Sequence, residues 1–310
     1  MNTATSTATL EAKTTDITPL TQTTKFFQIG FKMLGGERTA QGTEQDIKTE
    51  ADKAMLRVKK QLFGKSKEYR AIRSTNASLK RRIDKFCVEG ALEGVRTVPN
   101  GNVKRVFALC IEHEVVTSGL VDKFYGVYPT LYEQAKTLLG PLFKADEYPK
   151  PEDVKSAFGF RYNIVSFDVP GDLKELDSAI YEQQMKQKVS LMKNASDEIN
   201  RVKCATMQAV LDAFKNELSV GDDGKSKKFK AVALKKLQKF VEDFDVMDVT
   251  NFEELKALKD QCAKLVSGIG VDNIRSSEEF RANLLTEISS IGDALKPLVE
   301  ETGRALKIVN

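Results

Sequence analysis

The chain has 310 residues, of which 30% are charged, 8% are aromatic and none is tryptophan, with a formal net charge of +4. That length predicts one large domain or two smaller ones with room for a substantial core. The near-balanced charge excludes a global field that demands nucleic acid or a membrane surface, and no apolar run reaches the ~20 residues that span a bilayer.

Met1 to Thr24 holds ten threonines and few apolar residues, the composition of a disordered tail. It lacks the basic start and continuous apolar stretch of a secretion signal. Cys87, Cys110, Cys204 and Cys262 are widely scattered, so they are expected to be reduced, buried and small-hydrophobe-like, in a cytoplasmic protein.

Phe27, Ile29, Phe31 and Met33 alternate with polar or small residues and predict a strand that Gly35-Gly36 ends. A polar loop is expected to about Gln45. Ile47, Ala51, Ala54, Met55, Val58 and Leu62 then recur at helical spacing. A second helix is predicted from about Ser66 to Val88, with Tyr69, Ile72, Leu79, Ile83 and Phe86 on one side. Gly94 to Pro99 reads as extended.

Helical spacing resumes from Asn102 to about Leu139, where Pro129 is expected to kink or split the run. Pro141 to Lys150 reads as a connector. Pro151-Glu152-Asp153-Val154 has the proline and acids of a helix start. Phe160 to Val169 is rich in β-branched and aromatic residues and predicts a strand. Its expected partner is Phe26–Met33, because isolated strands are unstable.

Asp172 to Val220 contains neither glycine nor proline, so it predicts one very long helix. Within it Met185, Val189, Met192, Ala195, Ile199 and Val202 step by 4, 3, 3, 4 and 3, close to a coiled-coil heptad seam. Gly221-Asp222-Asp223-Gly224 is the expected turn. Further helices are predicted over Ser226 to about Phe244, Phe252 to about Val266 and Glu278 to about Val299. The expected organisation is a tail over 1–24, an α+β domain with a small sheet over 25–170, and a helical hairpin or bundle over 171–310. The fold class is mainly α: a long-helix bundle or antiparallel arm with a small β-sheet in its N-terminal half.

The chemistry-bearing strings are weak. Asp222-Asp223-Gly224-Lys225-Ser226 ends like a phosphate-binding loop, but Ser219 occupies the place of the first glycine and a helix precedes it instead of a strand. Gly35-Gly36 lacks the third glycine of a dinucleotide fingerprint. His113 is the single histidine, and the position four residues on is Thr117, so a two-histidine zinc helix within one chain is excluded. A Cys–His dyad remains open, beside the plainer reading of a part-buried helical histidine. No catalytic residue, cofactor or metal ligand set is expected.

The charge runs are more informative. Between Arg57 and Lys85 eleven basic residues face only Glu68 and Asp84, a local net of +9. Arg57, Lys59, Lys60, Arg70, Arg73, Lys80, Arg81, Arg82 and Lys85 form the candidate basic interaction face. Lys225 to Lys239 adds seven lysines and no acid. Such density suits an acidic protein face or a nucleic-acid backbone. The plainer reading, favoured because the aromatics here are few and sit at core spacing, is a solvated helix face balanced by the acidic C-terminal helices.

Arg81-Arg82-Ile83 through Gly94-Val95-Arg96-Thr97-Val98-Pro99, then Phe124-Tyr125-Gly126-Val127-Tyr128 and Val154-Lys155-Ser156-Ala157-Phe158-Gly159-Phe160-Arg161-Tyr162, make an order of motifs that resembles a bacterial and phage family catalogued as domain of unknown function 3150. The resemblance covers roughly Phe26 to Val169 and carries no catalytic residues. Genes of that family often lie beside MoxR-type AAA+ ATPases and von Willebrand A proteins. The resemblance therefore implies a non-enzymatic adaptor or accessory component of such a system, in the cytoplasm of a bacterial host cell. The alternative is a nucleic-acid-binding protein using the Arg57–Lys85 face.

Overall fold

The computed structural model describes residues 18–40, 50–52, 55–64, 66–89, 92–220 and 228–305. Most of the Thr-rich tail, the turn at 221–224 and the loop-like string at 222–226 lie outside the described residues. The fold is mainly α, with a small antiparallel sheet of three strands in the N-terminal half, as the sequence predicts. No helix among the described residues is long and apolar enough to cross a membrane. The chain divides into two compact units. One comprises Gln28–Lys85 and Lys104–Asn163; the other comprises Met1–Phe27, Phe86–Val103 and Ile164–Asn310.

The three-stranded sheet has the order β4-β1-β5, from β1 (Thr24–Lys32), β4 (Arg96–Pro99) and β5 (Gly159–Val165). The expected pairing of the first strand with the 160s strand is therefore present. Thr24 lies opposite Pro99 and Phe27 opposite Arg96 in an antiparallel register.

In the Gln28–Lys85 and Lys104–Asn163 unit, a two-stranded ladder overturns two expectations. The polar loop after Gly36 contains β2 (Glu37–Thr39), and the run expected to be helical to Leu62 contains β3 (Lys59–Gln61). The ladder continues beyond the strands, since Leu62 N donates to Gly36 O and Ala40 N to Val58 O. Lys60 and Leu62 point inward at a strand's period of two while Lys59 and Gln61 are exposed. Pairing with β2 therefore outweighs the helical spacing of the apolar residues upstream.

Ser66 then caps α2 (Lys67–Asp84), its hydroxyl accepting from Tyr69 N. Tyr69, Ile72, Asn76, Leu79 and Ile83 make the buried stripe. Next comes α3 (Val103–Leu139), which runs as one helix through Pro129, so of the expected kink or split the split does not occur. Pro129 is on the exposed side, where water can bond the carbonyl that proline leaves without a donor. The expected helix start at Pro151 yields only 3₁₀ turns over Pro151–Asp153 and Lys155–Ala157. The core is aromatic: Phe63, Tyr69, Phe124, Tyr128 and Tyr148 pack together with Leu34, Leu62 and Ile72. The Phe63 and Phe124 rings meet edge to face at 5.4 Å.

In the other unit, α1 (Thr18–Thr23) and the first residues of β1 precede the helices α4 (Leu173–Leu176) and α5 (Ser178–Leu218). The single long helix expected from Asp172 is thus broken at Asp177, whose side chain accepts from Ala179 N and Ile180 N. A good N-cap starts a helix without any glycine or proline to mark the break. At 41 residues α5 is about 60 Å long. It packs with α6 (Ala231–Met247) and α9 (Glu278–Ala305), which also contacts α7 (Glu253–Val266) and α8 (Val271–Ser276). Their core joins Met207, Leu211 and Phe214 to Leu237, Leu255, Ile288 and Leu295. The helix α7 ends at Gly268, whose φ of +72° is the left-handed conformation that closes a helix C-terminus.

Phe124 has no exposed surface and touches Phe63, Tyr69, Tyr128 and Phe158. Phe124→Ala should therefore destabilise its unit by about 3–5 kcal/mol, read as a lowered urea midpoint for the transition that reports that unit.

Candidate interaction face

The nine nominated cations do not form one surface. Arg57 is exposed just before β3, and Lys59 in that strand lies 3.6 Å from Glu37. Lys60 is withdrawn from solvent: its side chain is 4% exposed, 2.6 Å from Glu147 Oε2, and its Nζ donates to Leu142 O. It staples β3 to the 3₁₀ turns after α3 and is removed from the candidate face.

The remaining six belong to α2 and the residue after it. Arg82 makes a bidentate pair with Glu112 of α3 at 3.0 and 2.7 Å. The Arg82 guanidinium holds the Glu112 carboxyl below its ordinary range. Arg70 directs its Nε to Ser66 O. Arg73, Lys80, Arg81 and Lys85 are exposed and make no ion pair among the described residues. Lys80 instead rests 5.3 Å from the centre of the Phe31 ring, a cation–π contact. Helical periodicity puts Lys67, Arg70, Arg81 and Lys85 on the outward side, with Arg73 and Lys80 at its border. The site is thus one helix face carrying exposed positive charge.

The second lysine run is spent differently. Lys230 meets Glu217 at 3.3 Å and Lys239 meets Asp243 at 2.6 Å. Lys225 and Lys227 lie outside the described residues.

His113 is buried between aromatic rings, edge-on to Phe31 at 5.7 Å and Phe160 at 4.7 Å, with Nε2 3.2 Å from Thr117 Oγ1. Burial pushes its pKa down, and Arg82 adds to the shift while Glu112 opposes it. This is the part-buried helical histidine of the plainer reading. The four cysteines form no disulfide and are buried, and burial pushes the Cys262 thiol up to about 12, far from a reactive thiolate. Among the described residues no group of three His, Cys, Asp or Glu side chains is placed to hold a metal ion.

Three buried cations escaped sequence reasoning. Arg281 donates to the carbonyls of Leu218 and Glu217 and so closes the C-terminus of α5. Lys203 pairs with Asp248 at 2.6 Å, and Lys259 with Asp245 and Asp260 at 2.7 Å. Their only linear signal is a charge placed among apolar helix positions.

Compared with known proteins, the chain matches no family model, no curated protein and no solved structure.

Two outcomes follow from this geometry. Lys60→Met should cost about 3–5 kcal/mol by leaving Glu147 unpaired, and adding Glu147→Leu should recover most of it; chemical denaturation of both variants checks the cycle. His113 is harder to protonate in the folded chain than in the unfolded one, so its neutral form stabilises the fold above the ordinary histidine pKa. That stability is lost as pH falls from about 6.5 toward the depressed folded value. Thermal melts between pH 8 and pH 5 should show the loss, and His113→Leu should remove that part of the slope.

Proposed function

We propose that the protein is a non-enzymatic interaction protein, an adaptor or accessory component of a MoxR-type AAA+ ATPase and von Willebrand A system in a bacterium or phage. The observation that carries the interaction role is the exposed positive charge gathered on α2. Cations in the last turn of a helix are stabilised by its dipole, which accounts for Arg81, Arg82 and Lys85. Lys67, Arg70 and Arg73 lie toward the opposite end, where the dipole disfavours them. Arg70 bonds Ser66 O there, but Lys67 and Arg73 are exposed and the helix dipole gives no reason to gather them at that end. An acidic protein surface does. The identity of the system rests on the motif order from Arg81 to Tyr162, and the 69% helical architecture suits a docking scaffold.

The second reading is nucleic-acid binding by the same face. The observation favouring it is that Arg73, Lys80, Arg81 and Lys85 lie on one helix with no ion pair.

Capture of the tagged chain from its native host, with and without nuclease, tests both. The expected result is recovery of an AAA+ ATPase or von Willebrand A protein after nuclease, lost in Arg81→Glu/Lys85→Glu. Partners that vanish with nuclease would replace the first reading by the second, whose signature is a steep fall in affinity with salt. Partners unchanged by the double reversal would remove α2 from the interface.

A further inference from the structure

A groove of about 470 Å³ runs beside α2, within the Gln28–Lys85 and Lys104–Asn163 unit. That size lies in the range of small-molecule sites. Phe31 and Met33 at the end of β1, the Gly35-Gly36 turn and Tyr69 form its apolar side. Arg73, Asn76 and Lys80 of α2 form the polar side.

Three features make it more than a surface crease. First, neither Arg73 nor Lys80 has a carboxylate partner among the described residues, although Lys80 is positioned by the Phe31 ring. The two stand seven residues apart, two helical turns or about 10 Å along the axis. Glu37 also lines the groove, but Lys59 engages it at 3.6 Å, and the Arg38 guanidinium stands beside Gly35. The groove is therefore cationic.

Second, Asn76 is only 8% exposed and lies between the two cations in sequence. Its Nδ2 reaches Met33 Sδ at 3.1 Å, while Oδ1 has no hydrogen-bond partner. A buried carbonyl left unpaired costs about 1–3 kcal/mol, and leucine at this position on the α2 stripe would avoid that cost. The terminal torsion of asparagine is soft, so turning the amide presents Oδ1 to a donor in the groove.

Third, the floor is rigid. A Cβ at Gly36 would lie 2.7 Å from Tyr69 Cε1, and the Tyr69 hydroxyl is tied to Leu34 O at 2.6 Å. Glycine at 36 keeps the backbone against the ring and the groove open above it.

We infer that this groove binds a small organic dianion that carries an N–H donor between its charges or beside them. Arg73 and Lys80 take the negative groups, Asn76 Oδ1 accepts from the donor, and Phe31 and Met33 cover the apolar body. An N-acylated dicarboxylate has this chemistry with a charge for each cation, and a phosphomonoester of an amine-bearing nucleoside has it with both charges on one group. Arg73 and Lys80 are shared with the basic face, whereas Arg81 and Lys85 lie outside the groove, so the Arg81→Glu/Lys85→Glu chain should lose partner capture and keep the small anion.

The test is ¹H–¹⁵N correlation spectroscopy of the full chain in low salt, titrated separately with adenosine monophosphate, N-acetylglutamate and inorganic phosphate. The expected result is saturable movement of the Gly35 and Gly36 amides and the Asn76 side-chain amide with one of the two organic anions, at a Kd of about 1 mM or tighter. The anion that binds more tightly identifies the source class, and inorganic phosphate should bind at least about tenfold more weakly, since it lacks both the N–H donor and the apolar body. Arg73→Ala, an exposed change that leaves the core intact, should weaken binding about tenfold or more. Asn76→Leu should abolish the preference over inorganic phosphate while leaving the melting temperature equal or higher. Absence of saturation with both organic anions overturns the proposal. So does inorganic phosphate binding as tightly as they do, or an Asn76→Leu chain that binds unchanged.

Discussion

The second unit depends on keeping a 41-residue helix in register with two different sets of partners. A helix of that length has one apolar stripe, and its own hydrogen bonds do little to hold it in water. The stripe of α5 is divided. Met192, Ala195 and Ile199 pack with Leu20, Phe26 and Val249, whereas Cys204 through Leu218 pack with the helices that follow. The junction between the two clusters is polar and closed by side chains. Lys203 meets Asp248 at 2.6 Å above the Phe244 ring, Thr250 donates to Asn200 Oδ1, and Thr23 donates to Val249 O. Burial pulls the Lys203 pKa down and the Asp248 carboxylate pulls it partly back. Asn251 adopts a φ of +52° in the turn that follows, a conformation asparagine tolerates better than most residues. At the far end Arg281 satisfies carbonyls that the end of any helix leaves open.

This explains what could be read from the chain and what could not. Helices were legible where apolar residues recur over many turns, as in α2, α3 and α5 to α7, because burial of one stripe and the 3.6-residue period are the same fact. The strands of the three-stranded sheet were legible through Phe26–Phe31 and Phe160–Val165, rich in aromatic and β-branched residues. The ladder of Glu37–Thr39 and Lys59–Gln61 was not, since three polar residues carry no period and the pairing joins segments twenty residues apart. The break at Asp177 was written in a residue that caps as readily as it sits on a helix surface, so only φ of −158° in the fold distinguishes the two roles.

The basic face was legible as charge but not as a surface. Composition counts Lys60 and Arg73 alike, yet one is a staple against Glu147 and the other is unpaired. The difference arises from contacts more than sixty residues away in the chain, which no local window contains. Asn76 shows the same limit from the other side. At helical spacing it occupies a core position between Ile72 and Leu79, where an apolar residue is the ordinary choice. That it is polar, buried and incompletely bonded emerges only when Met33 and the Gly35-Gly36 turn come to lie beside it.

Like charges three or four residues apart on a helix repel by a few tenths of a kcal/mol per pair. The face of α2 carries several such pairs: Lys67 with Arg70, Arg70 with Arg73, and Arg81 with Lys85. Elsewhere the same chain neutralises its helix-surface lysines locally, as Lys193 with Asp197, Lys239 with Asp243 and Lys296 with Asp293. Those pairs show that the sequence has acids to place where repulsion would otherwise build. On α2 it places Ser74, Ala77 and Ser78 between the cations instead. Short side chains there neither screen the charge nor cover the helix, so the backbone of α2 stays approachable along the whole basic stripe. A helix built only for stability would exchange those residues for acids; one built to meet a negatively charged surface would keep them small.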